Sequence, residues 1–232
     1  MNTRNCKKLI LFDIDGTLLN TGGDGKEAME MALKKLLIDF TNLDEIRFQG
    51  NTDYAIFNSI SEIYPLLKEQ GIEKFKKTYI QYLQDLMPAE SRIQMAIPHA
   101  RSFLQFLQKR NEFCIGLVTG NFKNGAQIKL KATGLDSFFD FEKGGYGCDA
   151  PHRTRLVEKA MIRNEFTEKF RVLLIGDTIH DAAAGKEAGI RVMGVTTGVG
   201  EDSVKDLLES GCDLVVNNLG EIDEIMLRAI FN

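Results

Sequence analysis

No tryptophan occurs among the 232 residues, histidine appears three times, and proline and cysteine four times each. So little histidine, with Cys6, Cys114, Cys148 and Cys212 far apart and no Cys-x-x-Cys spacing, leaves no zinc motif. Scattered in this way, the cysteines read as reduced thiols of a cytoplasmic protein, with Cys114 a small core residue inside an apolar run. Long apolar runs are missing as well. The longest stretch free of Asp, Glu, Lys and Arg is Phe113 to Phe122, well short of the roughly 20 residues that span a bilayer, so no membrane partner is expected. Nor is there a basic surplus: 29 Lys and Arg against 33 Asp and Glu give a net charge of −4, which argues against nonspecific nucleic-acid binding, and no nucleic-acid partner is expected. Met1 to Lys8 is polar and runs straight into a strand, which argues against a secretion signal. The remainder is an ordinary globular balance, 44% hydrophobic and 27% charged, enough for a sizeable core in one large domain or one domain with a smaller insert.

Short apolar runs recur at Leu9–Phe12, Cys114–Val118, Val172–Ile175, Val192–Val195 and Leu214–Val216. None alternates with polar residues, the pattern of strands covered on both faces. Helical patterns lie between them, at Arg101–Arg110, Gly125–Ala132, Arg155–Arg163 and Leu219–Ile230. The alternation predicts an α/β fold: a Rossmann-like parallel sheet with helices on both faces and ligands at the carboxyl ends of the strands. One region breaks it. Residues 20–96 contain only helical stretches, Lys26–Phe40, Tyr54–Glu62 and Glu73–Leu86, and read as an all-helical cap inserted after strand one. The core would then comprise residues 1–19 and 97–232, with Thr21–Gly25 and Met95–Pro98 as hinges.

Strand one runs into Asp13-Ile14-Asp15-Gly16-Thr17. With a period of two, Asp13 and Asp15 project to one side at the ligand edge. A turn in which Asp15-Gly16 stops the strand and Thr17 caps the next segment accounts for Asp15, but leaves Asp13 a buried charge at the end of an apolar strand. A divalent cation resolves that. The run Val172–Ile175 leads into Gly176-Asp177-Thr178-Ile179-His180-Asp181, two more carboxylates, and oxygen ligands from Asp13 and Asp177 with a backbone carbonyl suit Mg²⁺. Asp181 also fits as an N-cap ahead of Ala182–Ala188. The third strand terminus, Thr119-Gly120-Asn121, offers a hydroxyl, a glycine backbone and an amide at a helix start, a cradle for an anion.

In this order the three motifs resemble those of the haloacid dehalogenase superfamily, along essentially the whole chain and with the helical insert of its C1-capped, phosphoglycolate phosphatase-like members. The resemblance implies Mg²⁺ and a covalent aspartyl intermediate. Asp13 would be nucleophile and metal ligand, and Asp15 the general acid and base that lends its carbonyl to the metal. Thr119, Gly120 and the Asn121 backbone would hold the phosphoryl group, and Asp177 would complete the metal site with Asp181 in an outer position. An acid at Asp15 favours phosphate esters over halo-acids, because a departing halide needs no proton.

The family's third motif carries a lysine, and here the corresponding stretch is Asp149-Ala150-Pro151-His152-Arg153-Thr154-Arg155, with none. Arg153 is the candidate cation, His152 the second and Lys143 a distant third; a solvated Arg153 in a first helical turn is the plain alternative. In the cap, Asn51-Thr52-Asp53 would either contact substrate or cap the adjoining helix. These readings converge on a Mg²⁺-dependent phosphatase, a monomer or homodimer, acting on a small phosphorylated metabolite. A phosphomutase of the same family is the runner-up, and a non-catalytic phosphate-binding protein the reading from another class.

Overall fold

The computed structural model describes residues 6–37, 40, 41, 43, 46, 48, 50–198 and 202–232. Its centre is a six-stranded, wholly parallel sheet in the order β3-β2-β1-β4-β5-β6, built from β1 (Lys8–Phe12), β2 (Phe113–Thr119), β3 (Gly145–Tyr146), β4 (Val172–Gly176), β5 (Arg191–Val195) and β6 (Leu214–Val216). The period of two divides each central strand between two cores. Ile10 and Phe12 of β1, with Leu173 and Ile175 of β4, face α5 (Ala100–Gln108) and α10 (Glu224–Phe231). Leu9, Leu11, Val172 and Leu174 face the opposite way, against α7 (Arg153–Arg163) and α8 (Ile179–Ala188). With helices on both faces, the α/β layering expected from the apolar runs is the one that forms.

Among the described residues, four α-helices lie between β1 and α5: α1 (Asp24–Leu36), α2 (Asp53–Ile63), α3 (Pro65–Gln70) and α4 (Ile72–Leu86). They bury an apolar set of their own, including Leu33, Phe57, Ile60, Leu67, Phe75, Tyr79 and Leu83, which meets Phe122 and Ala132. Here Phe57 and Phe75 sit 5.4 Å apart, a spacing at which aromatic pairs add to plain burial. The two chain segments that join this block to the sheet run side by side. Asn20 N–H donates to Met95 O at 2.8 Å and Ile97 N–H to Leu18 O at 2.9 Å.

Several elements depart from the sequence reading. The helix expected over Lys26–Phe40 ends at Leu36, and residues 38 and 39 lie outside the described set. Leu219–Ile230 is not one helix but a 3-10 turn, Leu219–Glu221, followed by α10, because the Asp223 side chain accepts from Met226 N–H and starts a new helix. The short α3, opened by Pro65 at its first turn, escaped the periodicity, as did α9 (Val204–Ser210), opened by Ser203 and Asp206 in a reciprocal capping box. So did the two residues of β3.

The expectation of four reduced thiols is also corrected. Cys6 and Cys114 form a disulfide with their Cα atoms 5.6 Å apart, while Cys148 and Cys212 are free. Pairing of Lys8 with Phe113 and of Leu9 with Cys114 brings the approach to β1 alongside β2, a proximity that a separation of 108 residues hides. Among the described residues no helix is long and apolar enough to cross a membrane. Residues 1–5, most of the polar stretch that speaks against a secretion signal, lie outside the described set.

Candidate functional site

Because the strands are parallel, β1, β2 and β4 deliver their last residues to one edge, where a cavity of about 320 Å³ opens between the sheet and the helical block. Asp13 continues the ladder, its N–H donating to Ile175 O at 3.0 Å, and its side chain is buried. Gly16 then turns the chain with φ 84°, and the position a Cβ would occupy there is 2.1 Å from Asp177 Oδ2. A residue with a side chain would therefore displace Asp177. Thr17, a helix cap only in the plain-turn alternative, donates its hydroxyl to Asp177 Oδ1 at 2.9 Å. Thr197 Oγ1 donates to Gly16 O at 2.7 Å and holds the turn from the other side.

Asp13, Asp177 and Asp181 bring carboxylate oxygens within 4.8 Å of one another. Burial pushes the Asp13 carboxyl up to about 7; Arg153 works against that shift, while Asp181 and Asp15 add to it. Asp177 is raised well above the usual range, by burial first and then by Asp13 and Asp181. Three acids gathered this closely fit a bound cation, with hard oxygen donors of the kind that divalent magnesium or calcium takes. Asp181 does two jobs. The N-cap of α8 is Thr178, not Asp181, which closes the capping box from the third position with Oδ2 while Oδ1 lies 2.6 Å from Arg153 Nη2.

Arg153, in the first turn of α7, also reaches Asp13 Oδ1 at 2.9 Å. Burial opposes its charge, but Asp13, Asp181 and Asp177 outweigh that and hold it protonated. Its Nε is buried with no hydrogen-bond partner among the described residues, a donor left for something else. His152 is exposed and opens α7 outside the cavity, and Lys143 is exposed away from it, so neither reaches the carboxylates.

On the next strand Thr119 is fully buried and its Oγ1 accepts from Asn121 Nδ2 at 2.8 Å. Asn121 Nδ2 also donates to Asp15 Oδ2 at 2.6 Å. Sequence reasoning missed Lys129 of α6 (Lys123–Ala132), a buried ammonium 2.8 Å from Asp15 Oδ2. A signal exists in the sequence: Phe122, Gly125, Ala126, Lys129 and Thr133 recur at helical spacing on one buried face.

From the helical block, Gly50 to Asp53 pack onto these loops. Thr52 caps α2 by accepting from Ala55 N–H at 3.1 Å. Asp53 N–H donates to Gly120 O at 2.8 Å, and Asp53 Oδ2 accepts from Phe122 N–H at 2.7 Å, so its carboxylate closes on the Thr119–Asn121 loop. Asn51 is exposed at the cavity rim, and Arg153 Nη1 donates to Gly50 O at 3.4 Å.

Burial drives Asp53 up to about 6, against the pull of Lys129 and the Phe122 N–H. A carboxyl raised on folding binds its proton more tightly in the folded state, so its contribution to stability is lost as pH rises from about 4 to 6. Asp53→Asn keeps an acceptor for Phe122 N–H and removes that loss. Above pH 6 the variant is expected to be more stable than the parent by up to about 3 kcal/mol, with no gain at pH 4. Urea unfolding at both pH values reads it, and a gain independent of pH would refute it.

The model of the haloacid dehalogenase-like hydrolases matches residues 10–195. Pyrophosphatase PpaX of Oceanobacillus iheyensis is 26% identical over 193 residues, covering 81% of this chain and 83% of its own length. The phosphoglycolate phosphatase of Aquifex aeolicus is 27% identical over 187 residues, covering 79% and 82%. Among solved structures, β-phosphoglucomutase of Clostridium difficile superposes with a TM-score of 0.71 at 18% identity over 98% of this chain and 97% of that one, a likeness of fold. With the match running from inside β1 to the end of β5, across all three strand-end motifs, the chain belongs to the haloacid dehalogenase-like hydrolase family.

Proposed function

We propose that the protein is a Mg²⁺-dependent phosphatase that hydrolyses a small phosphate monoester through a phosphoryl intermediate on Asp13. The observation that carries this reading is the convergence of Asp13, Asp177, Asp181 and Arg153 at adjacent strand ends, with Asp15 and Asn121 bonded to each other alongside. Asp13, Asp177 and the Asp15 carbonyl would hold the metal, with Asp181 behind them. Bound Mg²⁺ supplies neutralisation of phosphoryl oxygens and polarisation of phosphorus.

Arg153 and the Thr119–Asn121 loop orient the phosphoryl group against Asp13. An Asp13 oxygen forms a bond to phosphorus as the ester P–O bond breaks, and Asp15 donates its proton to the leaving alkoxide. Asp15 then takes a proton from water, the hydroxide attacks the same phosphorus, and the Asp13–phosphorus bond breaks to release phosphate, regenerating the Asp13 carboxylate and the protonated Asp15 acid.

Residues 20–96 act as the cap over residues 1–19 and 97–232. Asn51, Thr52 and Asp53 would close the cavity and exclude water. The cavity volume of about 320 Å³ suits a small ester. The relatives named for phosphoglycolate and pyrophosphate set the first substrates to try. With Mg²⁺ and each of p-nitrophenyl phosphate, phosphoglycolate and pyrophosphate, inorganic phosphate is expected to appear in step with loss of at least one of them. A sugar phosphate that isomerises without releasing phosphate would make the protein a mutase, and no conversion of any of them would end the phosphatase reading.

A further inference from the structure

We propose that Lys129 is the positioning residue for proton transfer by Asp15. The inference rests on the phosphatase reading, in which Asp15 is the acid and base. Lys129 reaches the site from two turns inside α6, and its side chain is 6% exposed, whereas that of Asp15 is 40% exposed and open to the cavity.

An ammonium has three protons, and here each faces an acceptor: Asp15 Oδ1 at 2.9 Å, Asp15 Oδ2 at 2.8 Å and Asn121 Oδ1 at 2.7 Å. No donor is left over for substrate, so Lys129 does not read as a binding cation for the leaving group. Its effect is on geometry. Because Asn121 Oδ1 accepts from Lys129, the amide must turn Nδ2 to Asp15 Oδ2 at 2.6 Å and to Thr119 Oγ1 at 2.8 Å. The side chains of Lys129, Asn121 and Asp15 close a ring in which both Asp15 oxygens are held, and the same ring ties Asp15 to the loop expected to carry the phosphoryl group. A long flexible side chain on a mid-helix position becomes a rigid strut only because every donor is satisfied in a buried place.

A plain surface ion pair would not be this buried and would contribute little to stability. A purely structural pair would matter equally for every substrate. A strut for the acid matters most where the leaving group needs its proton. Phenyl phosphate and p-nitrophenyl phosphate share a ring and differ in that need, since nitrophenolate departs without protonation and phenolate does not. General acid catalysis is worth about 10²- to 10⁴-fold, and a misaimed acid forfeits part of it.

The test is kcat/KM at saturating Mg²⁺, a quantity that stops at phosphoenzyme formation, for the parent, Lys129→Met, Asp15→Asn and the double variant on both esters. Lys129→Met is expected to lose at least about tenfold more on phenyl phosphate than on p-nitrophenyl phosphate, and to add no further leaving-group discrimination in the Asp15→Asn background. Equal losses on the two esters, or the same discrimination with Asp15 absent, would overturn the role of Lys129 while leaving the phosphatase standing. If the parent releases phosphate from neither ester, nor from phosphoglycolate or pyrophosphate, the phosphatase reading falls and this inference with it. Circular dichroism checks folding; should Lys129→Met be unfolded, Lys129→Gln, which keeps one donor for Asn121, is read by the same criteria.

Discussion

Asp13→Asn is expected to abolish turnover, by at least about 10⁴-fold in kcat, the scale on which enzymes lose a nucleophile. The amide keeps the shape of the carboxylate and leaves Arg153 paired with Asp181 at 2.6 Å, so the loss is not one of folding. It removes the nucleophilic oxygen and one of three carboxylates whose oxygens lie within 4.8 Å. Two readouts should therefore move together. Phosphate release disappears, and the rise in melting temperature that Mg²⁺ gives the parent through binding the folded state shrinks. Retained turnover would place the nucleophile elsewhere. A metal-induced shift equal to that of the parent would mean that Asp13 is no ligand.

The second large effect is expected at Arg153. It is the positive charge that meets both Asp13 at 2.9 Å and Asp181 at 2.6 Å in a buried setting, and removing one member of a buried ion pair leaves its partners uncompensated. Arg153→Met is expected to cost about 3–5 kcal/mol at pH 8 in the presence of a chelator. With Mg²⁺ much of that cost should return, because a metal held by the same acids takes over the neutralisation that the guanidinium supplied. Activity should stay low even so, since orientation of the phosphoryl group goes with the fork. Arg153→Lys restores the charge but not the fork, and partial activity is expected. Urea unfolding with EDTA and with Mg²⁺ measures the first effect. A variant within about 1 kcal/mol of the parent under chelation would show that the pair matters little to stability.

How far the chain can be read from its letters depends on whether a residue answers to its neighbours in sequence or in space. β1 and β4 are covered on both faces, so Leu9–Phe12 and Val172–Ile175 appear as unbroken apolar runs. Asp13, Asp177 and Thr119 stand at the ends of such runs, and a polar residue closing an apolar strand is visible without coordinates. Arg153 can be picked over His152 by counting, and it is Arg153 that reaches the carboxylates.

Lys129 is legible only in part: the helical spacing of Phe122, Gly125, Ala126, Lys129 and Thr133 marks a buried face, but its partner Asp15 is set by the docking of α6 against the sheet edge. Thr17 reads as a local cap from sequence because its partner, Asp177, is 160 residues distant. The Cys6–Cys114 bridge depends on strand order, which spacing does not encode. Asp53 reads from sequence as either a substrate contact or a helix cap. The cap is Thr52, and Asp53, which lines the cavity, bonds to Gly120 and Phe122.

The most direct test of the account is to stop the reaction with acid during turnover of p-nitrophenyl phosphate with Mg²⁺ and map the phosphoryl group by peptide mass spectrometry. The mechanism requires it on Asp13, in the peptide that spans the end of β1, and absent from Asp13→Asn. A phosphoryl group on any other residue, or on none while turnover proceeds under conditions that accumulate the intermediate, would contradict it.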